Sequence, residues 1–410
     1  MLRILLKKWI FVFITIIFSL LIGLKTSIEF FHFFFWFLVS AVAISIAWIT
    51  AEYFGIRMLV TRNLPLKVEE DDFVEIEATI RNKSFLPVFN FILEDHLTFA
   101  APQERKKRFL LEYLGPRSKL NLKYRHLCPR RGRYEIGPFS VYLFDPWGLF
   151  FFKKTFFLYS ELFVYPRTFR IPKFPALTKG TAPWFGIDTA HVSGDEHEFF
   201  GIREYKPGDP IKRIHWLSTA RKNKLIVKQF QRQVFFRATI IFNLNKDNNF
   251  GIGKESVAEY TIKIAASVAK YLIEKNVSVE IIAHIGEMAH IPFNKGEEHL
   301  EDILRALTIA QPESRVSTGE LFQEFSDYIP NDSSLIVIML DQDWEFLSAM
   351  LSLKAKNISL IPLVLLASSF MHTDGEEKIA RFPQAKLPEG FDFAPIFFAR
   401  GDNLEHDFLK

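Results

Sequence analysis

Two long uncharged runs near the N-terminus constrain this chain more than any other feature. The first extends from Trp9 to Leu24 without a charged residue, and the second, from Phe30 to Ala51, contains His32 as its one strongly polar side chain. A helix of about 20 apolar residues crosses the hydrocarbon core of a bilayer. The runs therefore predict a membrane α-helical hairpin, with spans at about residues 9–24 and 30–51 and a juxtamembrane segment to residue 62.

The basic residues around these runs predict their orientation. They flank the pair (Arg3, Lys7 and Lys8 before it; Arg57, Arg62 and Lys67 after it), whereas the turn between the runs holds only Lys25. Since basic residues favour the cytoplasmic side, we expect both termini and the soluble part to lie in the cytoplasm, at the inner membrane. A cleaved signal peptide is the alternative for the first run, but no Ala-x-Ala-like site follows Leu24.

After Pro65, apolar and polar residues alternate, as is typical of half-buried antiparallel strands. Strands at this spacing, separated by turn residues, predict an immunoglobulin-like β-sandwich over residues 63–170. The strand candidates are Val74–Ile80, Val88–Leu93, Leu120–Cys128, Arg133–Leu143 and Thr155–Val164.

Cys128 is the single cysteine of the chain. One cysteine excludes an internal disulfide and a cysteine-based metal cluster. Because Cys128 occupies an apolar position of its strand, we expect a buried small hydrophobic side chain rather than a reactive thiol.

From residue 235 onwards, strand-like runs alternate with longer amphipathic stretches. The strand candidates are Phe236–Leu244, Val277–His284, Leu335–Leu340 and Ile358–Leu365, and the helix candidates are Glu255–Lys275, Gly296–Ala310, Thr318–Tyr328 and Trp344–Lys354. This alternation predicts an α/β domain with a doubly wound parallel sheet over residues 235–410. Ligands of such sheets bind beyond the carboxyl ends of the strands, so the loops at 243–247 and 341–343 are candidate sites. Neither loop is a Gly-rich phosphate loop.

The predicted connector, residues 171–234, carries the most distinctive segment of the chain. In it, Pro207-Gly208-Asp209 predicts a turn in which Asp209 pairs with Arg203 or Arg213, and we expect Trp216 to be a buried anchor beside it. Such a network predicts a polar latch between two domains. The alternative is a binding surface, because residues 203–232 hold nine Lys or Arg residues against two Asp or Glu residues.

The same segment resembles the signature of a bacterial family called domain of unknown function 58. The matching residues are Arg203, Tyr205, Gly208, Asp209, Arg213, His215, Trp216, Ala220, Arg221 and Leu225. The resemblance extends to the turns at 131–134 and 145–149 and to the paired N-terminal runs. It implies a membrane-anchored protein with a von Willebrand factor A-like domain after the signature, encoded in many genomes beside a MoxR-type AAA+ ATPase.

In von Willebrand A domains, a metal is held by an Asp-x-Ser-x-Ser run, a later threonine and a later aspartate. The corresponding residues here are Asn243, Asn245 and Asp247, then Thr318 and Asp341. Since Asn243 replaces a carboxylate that a hard cation prefers, we expect a degenerate site without a cofactor. Occupation by Mg²⁺ is the alternative. The cluster His191, Asp195, Glu196, His197 and Glu198 has no zinc-like spacing.

No catalytic constellation is identifiable, and Gly-x-Ser-x-Gly is absent from the sequence. We therefore expect a membrane-tethered interaction scaffold rather than an enzyme, and the resemblance implies a MoxR-type ATPase as its partner in the assembly or maturation of other proteins. One alternative is a metal-dependent ligand-binding or enzymatic domain that uses Asp247 and Asp341. Another is a basic surface for nucleic acid or anionic lipid, formed by Arg213, Arg221 and Lys228.

Overall fold

The computed structural model describes residues 2–26, 28–175, 193–231, 236–326, 328–329, 333–343, 358–371 and 395–408. The chain forms two compact units, Met1–Arg167 (unit 1) and Thr168–Lys410 (unit 2). The finer boundaries expected from sequence, after residues 62, 170 and 234, stay predictions.

Unit 1 begins with two long helices, α1 (Leu2–Thr26) and α2 (Glu29–Gly55). Lys8–Thr26 and Glu29–Gly55 are each long and apolar enough to cross a membrane, in agreement with the two predicted apolar helices. The helices pack closely on each other: the Ser19 hydroxyl donates to the carbonyl of Phe31 at 2.9 Å. A side chain at Gly23 would lie 2.9 Å from the His32 ring, so a larger residue there would force this ring to move.

The rest of unit 1 is rich in strands, as predicted. Three sheets are present, in the orders β1-β3-β6, β2-β10-β7 and β5-β4-β8-β9. Their strands are β1 (Met58–Asn63), β2 (Lys67–Glu69), β3 (Phe73–Asn82), β4 (Val88–His96), β5 (Lys106–Leu114), β6 (Lys119–Leu127), β7 (Gly132–Ile136), β8 (Phe139–Phe144), β9 (Phe151–Phe156) and β10 (Ser160–Tyr165).

The alternation in β3 places Val74, Ile76, Ala78 and Ile80 in the interior, each at most 1% exposed. Two of the predicted strand segments are divided in the structure. The segment 133–143 contains β7 and β8, separated by a cis Gly137–Pro138 bond, and 155–164 contains the end of β9 and most of β10. The chain turns at both places, which alternation alone does not show.

Unit 2 contains a two-stranded hairpin and a six-stranded sheet. Its strands are β11 (Ser193–Glu204), β12 (Ile226–Gln231), β13 (Arg237–Asn243), β14 (Ser278–His284), β15 (Met288–Asn294), β16 (Ser334–Leu340), β17 (Ser359–Leu365) and β18 (Ile396–Phe398). Its described helices are α3 (Trp216–Lys222), α4 (Val257–Glu274), α5 (Glu297–Ile309), α6 (Thr318–Phe325), α7 (Ala367–Met371) and α8 (Leu404–Asp407).

The large sheet has the order β15-β14-β13-β16-β17-β18. Neighbouring strands are parallel except β14 and β15, which pair antiparallel, so the predicted all-parallel sheet is in fact mixed. Along β16, Ile336 and Ile338 join one core cluster with α4 and α5, whereas Leu335 and Val337 join another with α6. Both faces of the sheet are therefore covered, which explains the near-continuous apolar sequence of its strands.

The predicted helix Trp344–Lys354 lies outside the described residues, as does most of the first part of the predicted connector, residues 176–192. The second part of that connector is ordered into secondary structure. It forms the hairpin of β11 and β12 together with α3.

Candidate functional site

The signature residues form one compact substructure, which we call the signature hairpin and define as residues 201–228. Strand β11 pairs antiparallel with β12, with Glu204 opposite Ile226. The connection between them folds back on the strands, because the amide of Tyr205 donates to the carbonyl of Leu225 at 2.9 Å and the amide of His215 donates to that of Ile226 at 2.8 Å. Backbone hydrogen bonds therefore hold both ends of the loop that carries the motif.

Arg203 and Asp209 fix the turn of this loop. The guanidinium donates two parallel hydrogen bonds to the carboxylate, Nη1 to Oδ2 at 2.6 Å and Nη2 to Oδ1 at 2.5 Å. The amide of Lys206 also donates to Asp209 Oδ2, at 2.8 Å. The hydrogen bonds from Arg203 hold the pKa of the Asp209 carboxyl below its usual range. Of the two partners predicted for Asp209, the structure selects Arg203.

Two further signature residues serve the local fold. Gly208 has φ of +105°, a conformation that other residues rarely adopt. His215 precedes α3, and its Nδ1 accepts a hydrogen bond from the amide of Ser218 at 3.2 Å. Since a helix leaves its first amides without partners, this imidazole acts as the N-cap of α3.

Large apolar side chains of the signature hairpin are exposed. Ile211 is 70% exposed, and Trp216 and Leu217 are each 65% exposed. The prediction that Trp216 is a buried anchor is therefore wrong. Helix α3 is only seven residues long, and none of its residues is buried.

Exposed charged residues lie on the same hairpin. Exposed basic side chains on the hairpin are those of Lys206, Lys212, Arg221, Lys222 and Lys224. Arg213 and Lys228, which were predicted to bind anions together with Arg221, are only partly exposed. Ala220 and Leu225 are exposed as well. The hairpin thus presents large apolar side chains together with mostly basic ones.

A second candidate site is a polar pocket at the carboxyl end of β13 and β16. It is lined by Asn243, Asn245, Asn248, Asn249, Thr261, Thr318 and Asp343, together with apolar side chains. The pocket lies where ligands of doubly wound sheets bind. It brings together Asn243, Asn245 and Thr318 from the sequence-predicted metal residues, whereas Asp247 and Asp341 do not line it.

Hydrogen bonds occupy most of the oxygen and nitrogen atoms of this pocket. The side-chain amides of Asn243 and Asn245 both donate to the carbonyl of Val316, and Asn245 Oδ1 accepts from the amide of Asp247 at 2.8 Å. Asn243 Oδ1 is buried without a hydrogen-bond partner. It is the one oxygen of this asparagine pair that remains available to a ligand.

Asp343 supplies the carboxylate of the pocket. The sequence pattern had indicated Asp341 as the metal-binding aspartate. Thr318 Oγ1 donates to Asp343 Oδ2 at 2.9 Å. Burial raises the pKa of Asp343 above its ordinary value. Asp341 Oδ1 instead accepts from the amide of Ala367 at 3.0 Å, at the start of α7. The sequence shows the run Asp341-Gln342-Asp343. It does not show which of the two carboxylates lines the pocket.

These donors fit a hard divalent cation poorly. Such ions are held by several oxygens, usually from more than one carboxylate, and this pocket offers one carboxylate whose pKa is already raised by burial. Among the described residues, no group of three or more His, Cys, Asp and Glu side chains is placed to hold a metal. In the predicted cluster, His191 and the side chains of Asp195, Glu196, His197 and Glu198 lie outside the described part of the chain.

Comparison with known proteins places the signature hairpin within a family. Residues 201–364 match the family described as protein of unknown function DUF58. The chain is also similar to an uncharacterized protein of Bacillus subtilis (strain 168) called YeaD, with 25% identity over 263 residues. That match spans 61% of this chain and 63% of the length of YeaD.

Among solved structures, a CARDB domain from Pyrococcus furiosus is similar to 27% of this chain and 94% of its own, with 16% sequence identity and a TM-score of 0.21. A PKD domain of an M14-like peptidase from a Thermoplasmatales archaeon is similar over 27% and 94%, with 14% identity and a TM-score of 0.15. At these TM-scores, neither similarity identifies a fold.

Proposed function

Because this chain belongs to the DUF58 family through its residues 201–364, we propose that it is a membrane-tethered protein whose signature hairpin binds a cytoplasmic partner protein. The family match includes all of the signature hairpin together with most of the large sheet of unit 2. The similarity in sequence confirms the family. The family is described as one of unknown function, so the match specifies no activity.

The tether in this proposal is the pair α1 and α2. Their outward side chains are large and apolar, for example Phe11, Phe33 and Phe37, which are 71%, 72% and 64% exposed. Exposure of such a surface to water would be unfavourable in free energy, because burial of apolar area is the main favourable contribution to folding and association. The bias of basic residues towards both ends of the pair favours a cytoplasmic location for the soluble parts.

The observation that carries the binding role is the exposure of Ile211, Trp216 and Leu217 on a hairpin that its own hydrogen bonds hold in shape. Exposed apolar patches with a polar rim mark interaction sites on proteins, and tryptophan is enriched among the residues that dominate binding energy. Because most of the exposed charged side chains of the hairpin are basic, the complementary partner surface is acidic. A preformed hairpin also reduces the entropy that binding must overcome.

The resemblance names the first candidate for this partner, a MoxR-type AAA+ ATPase. In the same proposal, the strand-rich part of unit 1 is an immunoglobulin-like sandwich that acts as a spacer, and the sheet of unit 2 is a von Willebrand A-like domain. The strand order, with five parallel strands and helices against both faces, supports the second assignment.

Affinity purification of the full chain from native membranes, under conditions that trap nucleotide-bound ATPases, tests the proposal. We expect the wild-type protein to recover a MoxR-type ATPase and the double variant Trp216→Ala, Leu217→Ala to lose it. Ile252→Ala is the matched control, because Ile252 is an 85% exposed apolar residue of the same unit outside the hairpin. Equal recovery with the wild type and the double variant would overturn the assignment of the binding face.

A second candidate, favoured by the same exposed tryptophan, is binding of single-stranded nucleic acid. Aromatic side chains beside basic residues can stack on bases, and Trp216 is near Arg221 and Lys222 along α3. The hairpin offers only this one exposed aromatic ring among its described side chains, which is fewer than stacking platforms use. Binding to an oligonucleotide that weakens with salt and is lost in Trp216→Ala would support it, and no binding at low ionic strength would exclude it.

A further inference from the structure

The end of α2 is built into the core of the strand-rich part of unit 1. Ile49 is 7% exposed and belongs to the same buried cluster as Phe91 of β4 and Leu143 of β8. Four residues earlier, Ser45 Oγ donates to Asp145 Oδ2 at 2.9 Å, and both residues are buried. The helix and the strands therefore pack as one body, and the strands lie beside the last turns of the helix rather than beyond its end.

Aromatic contacts extend this packing along the helix. The rings of Trp48 and Phe89 are 6.3 Å apart, and those of Tyr53 and Phe152 are 3.9 Å apart. On the other helix, Trp9 Nε1 donates to the carbonyl of Leu149 at 2.8 Å. The segment of α2 from Ser45 to Tyr53 is about 12 Å long at 1.5 Å per residue, so this is the depth over which strands and helix overlap.

The length of α2 sets the level of this overlap relative to the bilayer. The helix has 27 residues, whereas about 20 residues cross the hydrocarbon core. Counted from Phe30, the core is crossed by about Ile49. The overlap from Ser45 to Tyr53 therefore lies at the boundary between the acyl chains and the headgroups.

Several of the side chains that unit 1 exposes next to the end of α2 are large and apolar. We call them the proximal rim and define it as Phe85, Leu86, Phe89, Trp147 and Phe152. They are 75%, 46%, 37%, 51% and 38% exposed, respectively. Phe85 and Leu86 lie in the turn between β3 and β4, and Trp147 lies in the turn between β8 and β9. Their apolar surface is continuous with that of the helices, since Leu86 lies next to Gly55 and Phe152 next to Tyr53.

Cationic side chains accompany the rim. The Arg117 guanidinium lies 4.1 Å from the centroid of the Phe85 ring, and the Lys153 ammonium lies 5.6 Å from that of Tyr142. Lys83 is exposed beside Phe85 in sequence. Aromatic residues concentrate at membrane interfaces, and basic residues near them are attracted to anionic lipid headgroups.

We propose that the proximal rim is inserted into the headgroup layer of an anionic bilayer. The strand-rich part of unit 1 then contacts the membrane surface directly, in addition to being attached through α1 and α2. This inference rests on the proposed membrane tether and adds a second, lateral contact with lipid. It assigns Trp147 and Phe85 as interfacial anchors. It also gives the Ser45–Asp145 hydrogen bond a role, which is to hold the Trp147 turn at a fixed level on α2.

The test is quenching of an environment-sensitive fluorophore by nitroxide lipids in the full chain, reconstituted in phosphatidylcholine and phosphatidylglycerol vesicles. Single cysteines for the label are introduced in a Cys128→Ala background as Phe85→Cys, Trp147→Cys, Phe73→Cys and Phe37→Cys. Phe73 is the matched control, because it is also an exposed phenylalanine, at 62%, but lies at the opposite end of β3. At about 3.3 Å per residue, that end is about 30 Å from Asn82, which pairs with Met58 just after α2.

Phe37 is 64% exposed and lies near the middle of the part of α2 that crosses the hydrocarbon core, so its label reports on the tether itself. We expect labels at 85 and 147 to show blue-shifted emission and severalfold stronger quenching by shallow nitroxide lipids than the label at 73. In the contrary outcome, the labels at 85 and 147 behave like the label at 73 while the label at 37 is quenched by deep nitroxide lipids. That result would support the membrane tether and disprove insertion of the proximal rim. If the label at 37 is also accessible to water, both the membrane tether and the insertion of the proximal rim are disproved.

Discussion

Arg62 and Asp95 form an ion pair in which both side chains are completely excluded from solvent, in the interior of unit 1. Arg62 Nε donates to Asp95 Oδ2 at 3.2 Å, and Nη1 donates to the carbonyl of Ile136 at 2.9 Å. The hydroxyl of Tyr124 donates to the same carboxylate. Burial, together with the negative charge of Asp95, raises the pKa of Tyr124, so this hydroxyl stays protonated and continues to donate. The cluster connects β1, β4 and β6, strands of two different sheets.

Asp95→Ala should therefore destabilise unit 1 strongly. It leaves the Arg62 charge buried without its partner, for which a loss of about 3–5 kcal/mol in the free energy of unfolding is typical. Denaturant unfolding of the detergent-solubilised full chain measures this loss in the free energy of unfolding. Glu75→Ala is the control, because it removes a pair with Arg125 in which both side chains are more than half exposed, and such pairs contribute about 0–1 kcal/mol. Equal losses in the two variants would contradict the assignment.

Cys128 should be inert in the folded protein. Its side chain is fully buried, and burial raises the pKa of its thiol to about 12, so the reactive thiolate is scarce at neutral pH. We expect iodoacetamide to modify Cys128 only after denaturation, as followed by mass spectrometry. In a Cys128→Ala background, Leu127→Cys is the neighbouring control, since residue 127 is 40% exposed and should react in the native state. Rapid modification of native Cys128 would contradict this account.

Arg203→Lys should loosen the turn of the signature hairpin. Lysine keeps the charge but cannot make the two parallel hydrogen bonds that arginine makes with Asp209, and the carboxylate then orients the Lys206 amide less firmly. We expect faster hydrogen–deuterium exchange at the Lys206 amide by mass spectrometry. Lys224→Ala removes an exposed pair with Glu204 on the same hairpin and should leave that exchange rate unchanged. An unchanged rate in Arg203→Lys would show that the backbone alone holds the turn.

Asp343 should give the α/β sheet a measurable dependence on pH. Because burial raises its pKa in the folded protein above 3.8, the unfolded chain loses this proton first as pH rises. The free energy of unfolding should therefore fall between pH 3.8 and the raised pKa, and Asp343→Asn should lack that part of the decline. Asp247→Asn, an exposed carboxylate outside the pocket, serves as the control and should keep it. Identical profiles for Asp343→Asn and the wild type would contradict the burial of this carboxylate.

The periodicity of the sequence was sufficient to predict the elements with strong alternation or long apolar runs. Strand β3 and the two N-terminal helices are examples, since each buries or exposes a full face. Strand β15 was missed because it lies at the edge of its sheet, where all its side chains are exposed or only half-buried. Its antiparallel pairing with β14 follows from a turn of three residues after His284, which is too short for a crossover helix.

The candidate sites were less predictable than the fold. The pairing of Asp209 with a nearby arginine could be inferred, because Arg203 and Arg213 are both close to it in sequence, but only the structure shows that the partner is Arg203. The orientation of Trp216 could not, because α3 is too short to show a periodic apolar face, and a large apolar residue is by default assigned to a core. Asp343 was missed because it is two residues beyond the expected aspartate, and only the geometry of the 3-10 turn at 341–343 decides which carboxylate reaches Thr318.

The proposed membrane tether is tested by the orientation of the chain in the bilayer. Protease is added to sealed inverted vesicles and, separately, to intact spheroplasts, after confirming that the chain resists alkaline extraction from membranes. We expect both soluble units to be digested in inverted vesicles and protected in spheroplasts, with α1 and α2 retained in the bilayer. Release of the chain by alkaline buffer, or digestion of its soluble units in intact spheroplasts, would contradict this proposal.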